Sequence, residues 1–362
     1  MAGIALLLAL AVYFYFLAWA LRGLKRLAAK SLPRAQNEAE PRPFSVIIAA
    51  HNEAGSIARC LEKLTRQNYP AGLYEIIVAA DRCSDETAAL ARAFQKEFSR
   101  LKIIEITAAP PGVSPKKHAL ARAVEAAAHE HLLFLDADVV PTEHHLWAMN
   151  RSFAGGAAAV VSLMKFFPPQ NLWQRFLVFE KLVSWCIAGA GIGRERPLIA
   201  YGGNWGYTKS AFRQINGFAG IESSLGGDDD LLLQKMGEQR LPVQMCLEPQ
   251  GWIRTAPPES FQHFLRQRRR HFSAGKRYRP ALQAGYFLFH ASNLILWLGG
   301  LFYGPGLFFL FLKLAGDALV LRQGQKLFRE EFSLPAVLGF DFLYLVYNTL
   351  IGPLGHLGRI KW

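Results

Sequence analysis

The chain has 362 residues, a formal net charge of +13 and a hydrophobic content of 51%, which suits one large domain or two smaller ones and is too apolar for a plain soluble enzyme. Its four cysteines are scattered and its ten histidines form no His-Glu-x-x-His array, so the thiols read as reduced and a zinc centre is not indicated. Much of the positive charge sits in Arg22–Arg34 and in RQRRRHFSAGKRYR (266–279), where membrane topology and anionic lipid explain it more simply than a nucleic-acid partner.

Ile4–Leu21 runs 18 residues without a charge, close to the ~20 needed to cross a bilayer core as a helix. No basic segment precedes it, and Arg22, Lys25, Arg26, Lys30 and Arg34 come directly after it. That asymmetry predicts a retained anchor over residues 1–22, with the domain beyond residue 40 on the cytoplasmic side of the cell membrane. Residues 23–43, basic and then proline-bearing, read as a linker.

From residue 44 strands and helices alternate. Strands are expected at Phe44–Ala50, Tyr74–Asp81, Lys102–Ile106 and His131–Leu135, with helices near Ala54–Arg66, Asp85–Phe98 and Lys116–His129. Ser84 is the expected N-cap of the second helix. The alternation predicts an α/β domain with a mainly parallel sheet covered on both faces, its acid-tipped strand ends on one edge, where open sheets bind ligands. Ala157–Phe166 reads as a further strand. Phe166–Ile187 is expected as a helix, either in a membrane interface or on the domain's own core. Beyond residue 280, Ala281–Gly299, Gly300–Leu321 and Ser333–Gly352 are apolar stretches, so residues 281–362 read as a membrane region of two or three spans. Asp317 and Asp341 inside it are expected to face protein, water or a headgroup.

Three clusters carry chemistry. Asp136 and Asp138, in FLDADVVP, place two carboxylates on one side of the chain at a strand end, where Mg²⁺ or Mn²⁺ would relieve their repulsion and leave positions for a nucleotide diphosphate. GGDDDLLLQKM (226–236) puts three acids before a helix, more than a cap requires, and a carboxylate there suits a general base. In QRRRH, Gln267, Arg270 and His271 share a helix face, where arginine can grip a diphosphate and stabilise a leaving group.

SVIIAAHNEAGSI, VAADRCSDET, SPKKHAL, FLDADVVP, YGGNWGYTKSAFRQINGF, GGDDDLLLQKM and QRRRH succeed one another in an order that resembles the membrane-bound family 2 glycosyltransferases, which include cellulose-synthase-like enzymes and ceramide glucosyltransferases. The resemblance covers about residues 44–280. It implies a GT-A fold, transmembrane helices at both ends, and inverting transfer of a hexose from a nucleotide-diphosphate sugar, a UDP-sugar by family habit. It also implies that Glu53 and Asp81 contact the nucleoside, that Lys116 lies near the nucleotide, and that Asp136 lies by the ribose and diphosphate with Asp138 as metal ligand. Asp228 matches the family's base, with Asp229 as its alternate; the family's preceding glutamate is Gly227 here.

Gln267 and Arg270 match the family's Gln-x-x-Arg-Trp motif, and His271 replaces its tryptophan. That replacement and the short tail favour single transfer to a membrane lipid or lipid-linked acceptor, with Asn204, Trp205 and His271 as acceptor contacts. The alternatives are a processive polysaccharide synthase and an inactive membrane-anchored scaffold.

Overall fold

The computed structural model describes residues 1–30 and 40–356, so part of the expected linker lies outside the described residues. The chain divides into two compact units. Helix α1 (Ala2–Lys30) opens the chain and runs past Leu21, so that residues 22–30 are helical.

The sheet unit then begins. It contains β1 (Phe44–Ala50), α2 (Ile57–Thr65), β2 (Tyr74–Asp81), α3 (Thr87–Ala93), β3 (Leu101–Ile106), α4 (Pro115–Ala126), β4 (His131–Asp136) and α5 (His145–Ser152). The stretch expected as one strand breaks into β5 (Ala159–Val161) and β6 (Met164–Phe166). Helix α6 (Leu172–Gly193) interrupts the unit, which resumes with β7 (Asn204–Thr208), α7 (Lys209–Gln214), α8 (Asp230–Glu238), β8 (Val243–Met245) and β9 (Ile253–Thr255). The rest is helical: α9 (Phe261–Ala274), α10 (Pro280–Phe302), α11 (Gly306–Phe328) and α12 (Leu334–Ile351).

The seven-stranded sheet has the order β3-β2-β1-β4-β7-β5-β8. The first four strands are mutually parallel, β7 runs antiparallel to both neighbours, and β6 pairs with β9 in a second, small sheet. All eight residues of β2 are buried, as a central strand covered on both faces requires. Val46, Ile48, Ile76, Val78, Leu133 and Leu135 form one core with Ile57, Leu61 and Leu64 of α2 and Leu146 and Met149 of α5. The opposite face carries Ile47, Ile77 and Phe134, also buried, and α4 packs on β1 and β2. Each such side chain contributes about 1.5–3 kcal/mol on burial. The parallel register ends β2, β1 and β4 together, which places Asp81, the HNE turn and Asp136 at one edge.

In the helical unit α6 packs against α1 and α11, contrary to both settings expected for it. Glycines permit this: a Cβ on Gly23 would strike the Ala190 backbone, and one on Gly193 the Gly23 carbonyl. Such close backbone approach is how small residues join apolar helices. Helices α1, α6 and α10 and the stretch Leu334–Gly355 are each long and apolar enough to cross a membrane. The expected apolar stretch 300–321 is split between α10 and α11. Helix α11 carries Lys313, fully buried, whose ammonium pairs with Asp317 at 2.9 Å and with Asp341 of α12. The Tyr13 hydroxyl of α1 donates to Asp317 (2.8 Å), and the Trp297 indole of α10 donates to Asp341 (3.2 Å). Both acids therefore face protein.

Candidate functional site

At the carboxyl edge of the parallel strands the chain turns sharply twice. Asn52, after β1, and Arg82, after β2, both adopt left-handed backbone (φ +57° and +49°), which is uncommon outside glycine. The two turns are laced together: Ser84 N–H donates to Asn52 Oδ1 (2.8 Å), Ala54 N–H to Asp85 Oδ2 (3.0 Å) and Glu53 N–H to the Thr87 hydroxyl (2.7 Å). Ser84 is thus not the cap of α3. The N-cap position is Glu86, which makes no side-chain cap bond, and Asp85 just before it accepts from the Thr87 N–H and hydroxyl.

Asp81 is not the bare acid that its place in the sequence suggests. It is 2% exposed, and the turned-back Arg82 holds it with two bonds of 2.9 and 3.0 Å. Glu53 stands closer to the other acids. Burial raises its pKa and the Asp138 and Asp136 charges add to that, while the Ser56 hydroxyl, 2.7 Å from Oε2, opposes.

Lys116, in the first turn of α4, gathers the rest. Its Nζ lies 3.0 Å from Asp228 and 3.5 Å from Asp136. Burial alone would lower its pKa, but the Asp228, Asp136 and Asp229 charges overcome this and hold it raised. The three acids before α8 divide their duties. Asp229 caps the helix, accepting from Asp230 N–H (2.8 Å) and Gly202 N–H (2.7 Å), and Asp230 accepts from Ala200 N–H (2.9 Å). Backbone donors therefore account for two of them, and Asp228 turns to Lys116. Burial pushes the Asp228 pKa up, but Lys116 and Lys117 outweigh it and leave the carboxyl below its ordinary range. Burial and the Asp228 charge push Asp229 up to about 6.

Asp138, just past β4, is exposed and accepts the Thr255 hydroxyl at 3.0 Å. Although the residue is exposed, crowding around its carboxyl, then the Asp136 charge, raises its pKa. Two mutually repelling hard-oxygen carboxylates, one open to solvent, fit Mg²⁺ or Mn²⁺ that draws its other ligands from substrate or water. Among the described residues no group of three or more His, Cys, Asp or Glu is placed to hold a metal unaided.

Two of the residues expected at the acceptor are buried. Asn204 is fully buried in β7, and its amide donates to the carbonyls of Leu163 (2.8 Å) and Gly251 (3.0 Å). Trp205 is 3% exposed and packs on Phe134 and Tyr207. Both are core residues, because β7 lies inside the sheet. Gln267, Arg270 and His271 lie on α9, in the helical unit. Their neighbour Arg268 pairs with Glu180 of α6 at 2.5 Å, both largely buried, so this arginine of the basic run is structural.

Thr255 lies in no motif, and Arg82 and Lys117 lie within VAADRCSDET and SPKKHAL without a role assigned from the sequence, yet each touches the acids or their loop. The glycines of YGGNWGY do leave a signal. A Cβ on Gly203 would strike the Asp136 carboxylate, and one on Gly202 would stand 3.2 Å from Asp229. The backbone there approaches the acids too closely for a side chain, and paired glycines are how a sequence permits it.

The family model Glycosyl transferase family 2 matches residues 45–215, and Glycosyl transferase family group 2 matches residues 131–344. The probable glycosyltransferase YdaM of Bacillus subtilis is 27% identical over 264 residues, covering 69% of this chain and 59% of its own. Beta-monoglucosyldiacylglycerol synthase of Trichormus variabilis is 33% identical over 136 residues, 37% of this chain and 29% of its own. The chain thus spans less than two thirds of the length of these relatives. Among solved structures, the mannosyltransferase PcManGT from Pyrobaculum calidifontis, in complex with GDP-Man and Mn²⁺, superposes with a TM-score of 0.60 at 18% identity, covering 96% of this chain and 99% of its own. At that identity the likeness is one of fold, the GT-A fold expected from the motifs.

Proposed function

Because the chain belongs to the family 2 glycosyltransferases, we propose that it transfers one hexose, with inversion, from a nucleotide-diphosphate sugar to a membrane lipid or lipid-linked acceptor. The observation that carries this reading is the division of the three acids before α8: two take backbone donors, and Asp228 remains ionised beside Lys116 and Asp136.

Asp228 takes the proton of the acceptor hydroxyl as that oxygen bonds to the anomeric carbon. The bond from this carbon to the diphosphate breaks on the opposite side, and the nucleoside diphosphate leaves with the electron pair. Positioned proton removal of this kind is worth about 10²–10⁴ in rate. Lys116 keeps Asp228 ionised and presents a cation beside Asp136, where the diphosphate is assigned. Asp136 and Asp138 would hold Mg²⁺ or Mn²⁺, which when bound would offset the diphosphate charge. Glu53 and Asp81 keep their assignment to the nucleoside, which for Asp81 requires that Arg82 give way or share it. The roles of Gln267 and Arg270 at the diphosphate rest on the sequence motif alone.

A lipid acceptor is supported by four helices apolar enough to cross a membrane and by the beta-monoglucosyldiacylglycerol synthase relative. The helices favour a multi-pass membrane protein, and the basic residues that follow residue 21 favour the cytoplasmic membrane with the sheet unit on its cytoplasmic side. A UDP-sugar is the expected donor, and GDP-mannose the next to try.

A donor screen tests the reading. Detergent-purified protein is given each nucleotide sugar with Mn²⁺ or Mg²⁺ and membrane lipid extract, and nucleotide diphosphate release is measured beside Asp228→Asn. Release that needs lipid, metal and Asp228 is the expected result. Release that survives Asp228→Asn overturns the assignment of the base.

A further inference from the structure

Lys117 is 1% exposed. Its Nζ donates to two backbone carbonyls, Ser224 O and, at 2.8 Å, Gly226 O. A buried ammonium is costly unless its protons are placed on acceptors. These acceptors belong to residues just ahead of Gly227, at φ +73°, and Asp228. The same loop is held where it begins, by the Ser114 N–H donating to the Glu222 carbonyl at 2.8 Å. Ser114, Lys116 and Lys117 all belong to the start of α4, so one helix turn meets the loop at Glu222, at 224–226 and at Asp228.

Consecutive helical residues point about 100° apart. Lys116 can thereby address the carboxylate while Lys117 addresses the backbone that carries it. The loop needs an external hold, because Gly226-Gly227 has the greatest conformational freedom to lose on ordering. Charge-assisted bonds are roughly twice as strong as neutral ones, which suits an ammonium for this duty.

We propose that Lys117 is a positioning residue whose ammonium latches the loop 222–228 to α4 and so sets where the Asp228 carboxylate stands. The inference rests on the reading of Asp228 as base. Its structural half, the latch, stands on geometry alone.

The test uses the full chain in detergent with Lys117→Met. Hydrogen exchange is expected to quicken at 222–229 while α4 and β4 keep their protection. The donor KM should stay within about threefold, while kcat falls about 10–100-fold, since a displacement on the order of 1 Å is enough to misalign a base. Unchanged exchange and kcat would overturn the proposal. So would exchange that quickens throughout the sheet unit, which is the mark of a purely structural lysine. Should the unaltered protein transfer no sugar from any donor, the function fails separately, and the exchange comparison alone decides the latch. If the methionine variant does not fold, Lys117→Gln replaces it and is read in the same way.

Discussion

The protein contains two clusters in which one lysine meets two aspartates, and their surroundings give them different uses. In the sheet unit the side chains of Lys116, Asp136 and Asp228 are 19%, 35% and 13% exposed, with Asp229 and Asp138 adding further negative charge nearby. In the helical unit Lys313 is 0% exposed and Asp317 and Asp341 are 8% and 10%. There the Tyr13 hydroxyl and Trp297 indole donate to the acids, and their rings lie 5.6 and 5.2 Å from the ammonium. Surplus carboxylate within reach of water has room for a cation and a substrate. An ion network roofed by aromatic rings holds α1, α10, α11 and α12 together instead.

The largest expected effect lies in the first cluster. Asp228→Asn should lower kcat by about 10²–10⁴ while leaving nucleotide binding intact, as read by nucleotide release and calorimetry. In the second cluster, Lys313→Met removes the cation from two buried acids and should cost about 3–5 kcal/mol of stability, seen as a lower melting temperature in detergent. Lys116→Met should cost clearly less, because water reaches Asp136; equal losses from the two variants would erase the distinction between site and clamp.

A smaller effect sharpens the site. Gly203→Ala drives a methyl group into the Asp136 carboxylate, and overpacking of this kind costs about 1–3 kcal/mol. The donor KM should rise about tenfold, and much less for Gly202→Ala, measured by steady-state kinetics. The smallest effect is in the pH profile. A base must be ionised, so activity falls as pH drops through its pKa. With Asp228 held below its ordinary 3.8, its protonation should remove nothing between about pH 8 and about pH 5. A half-loss near pH 6 would instead assign the base to Asp229, whose pKa is about 6. In Lys116→Met the acid limb should move to higher pH, because the cation that depresses Asp228 is gone.

Much of this was legible in the chain. β1 and β2 occupy the spans their apolar runs suggest, because a parallel strand buried on both faces is apolar along most of its length. The acids of DAD and of GGDDD stand at element ends, where hydrophobic patterning stops. What patterning does not encode is which neighbour a side chain meets. Asn204 and Trp205 are candidate acceptor contacts by sequence, with a core position equally open for Trp205, and β7 inserts antiparallel between β4 and β5 and buries both. Asp81 looks bare until Arg82 takes a left-handed turn back onto it.

The alternating α/β domain, the motif order that marks the family and the apolar helices at both ends can all be read from the chain before it is folded. Local periodicity and composition suffice for the domain pattern and the apolar helices, which depend on residues a few positions apart, and the motif order needs only the linear sequence. It takes the packed fold to show that α6 joins α1 and α11, that Lys313 gathers Tyr13, Trp297, Asp317 and Asp341, and that Asp228, of three adjacent acids, pairs with Lys116. Apart from Lys313 and Asp317, one helical turn apart, those pairings span tens to hundreds of residues. They depend on where the packed backbone brings helices close and gives a buried charge its partners.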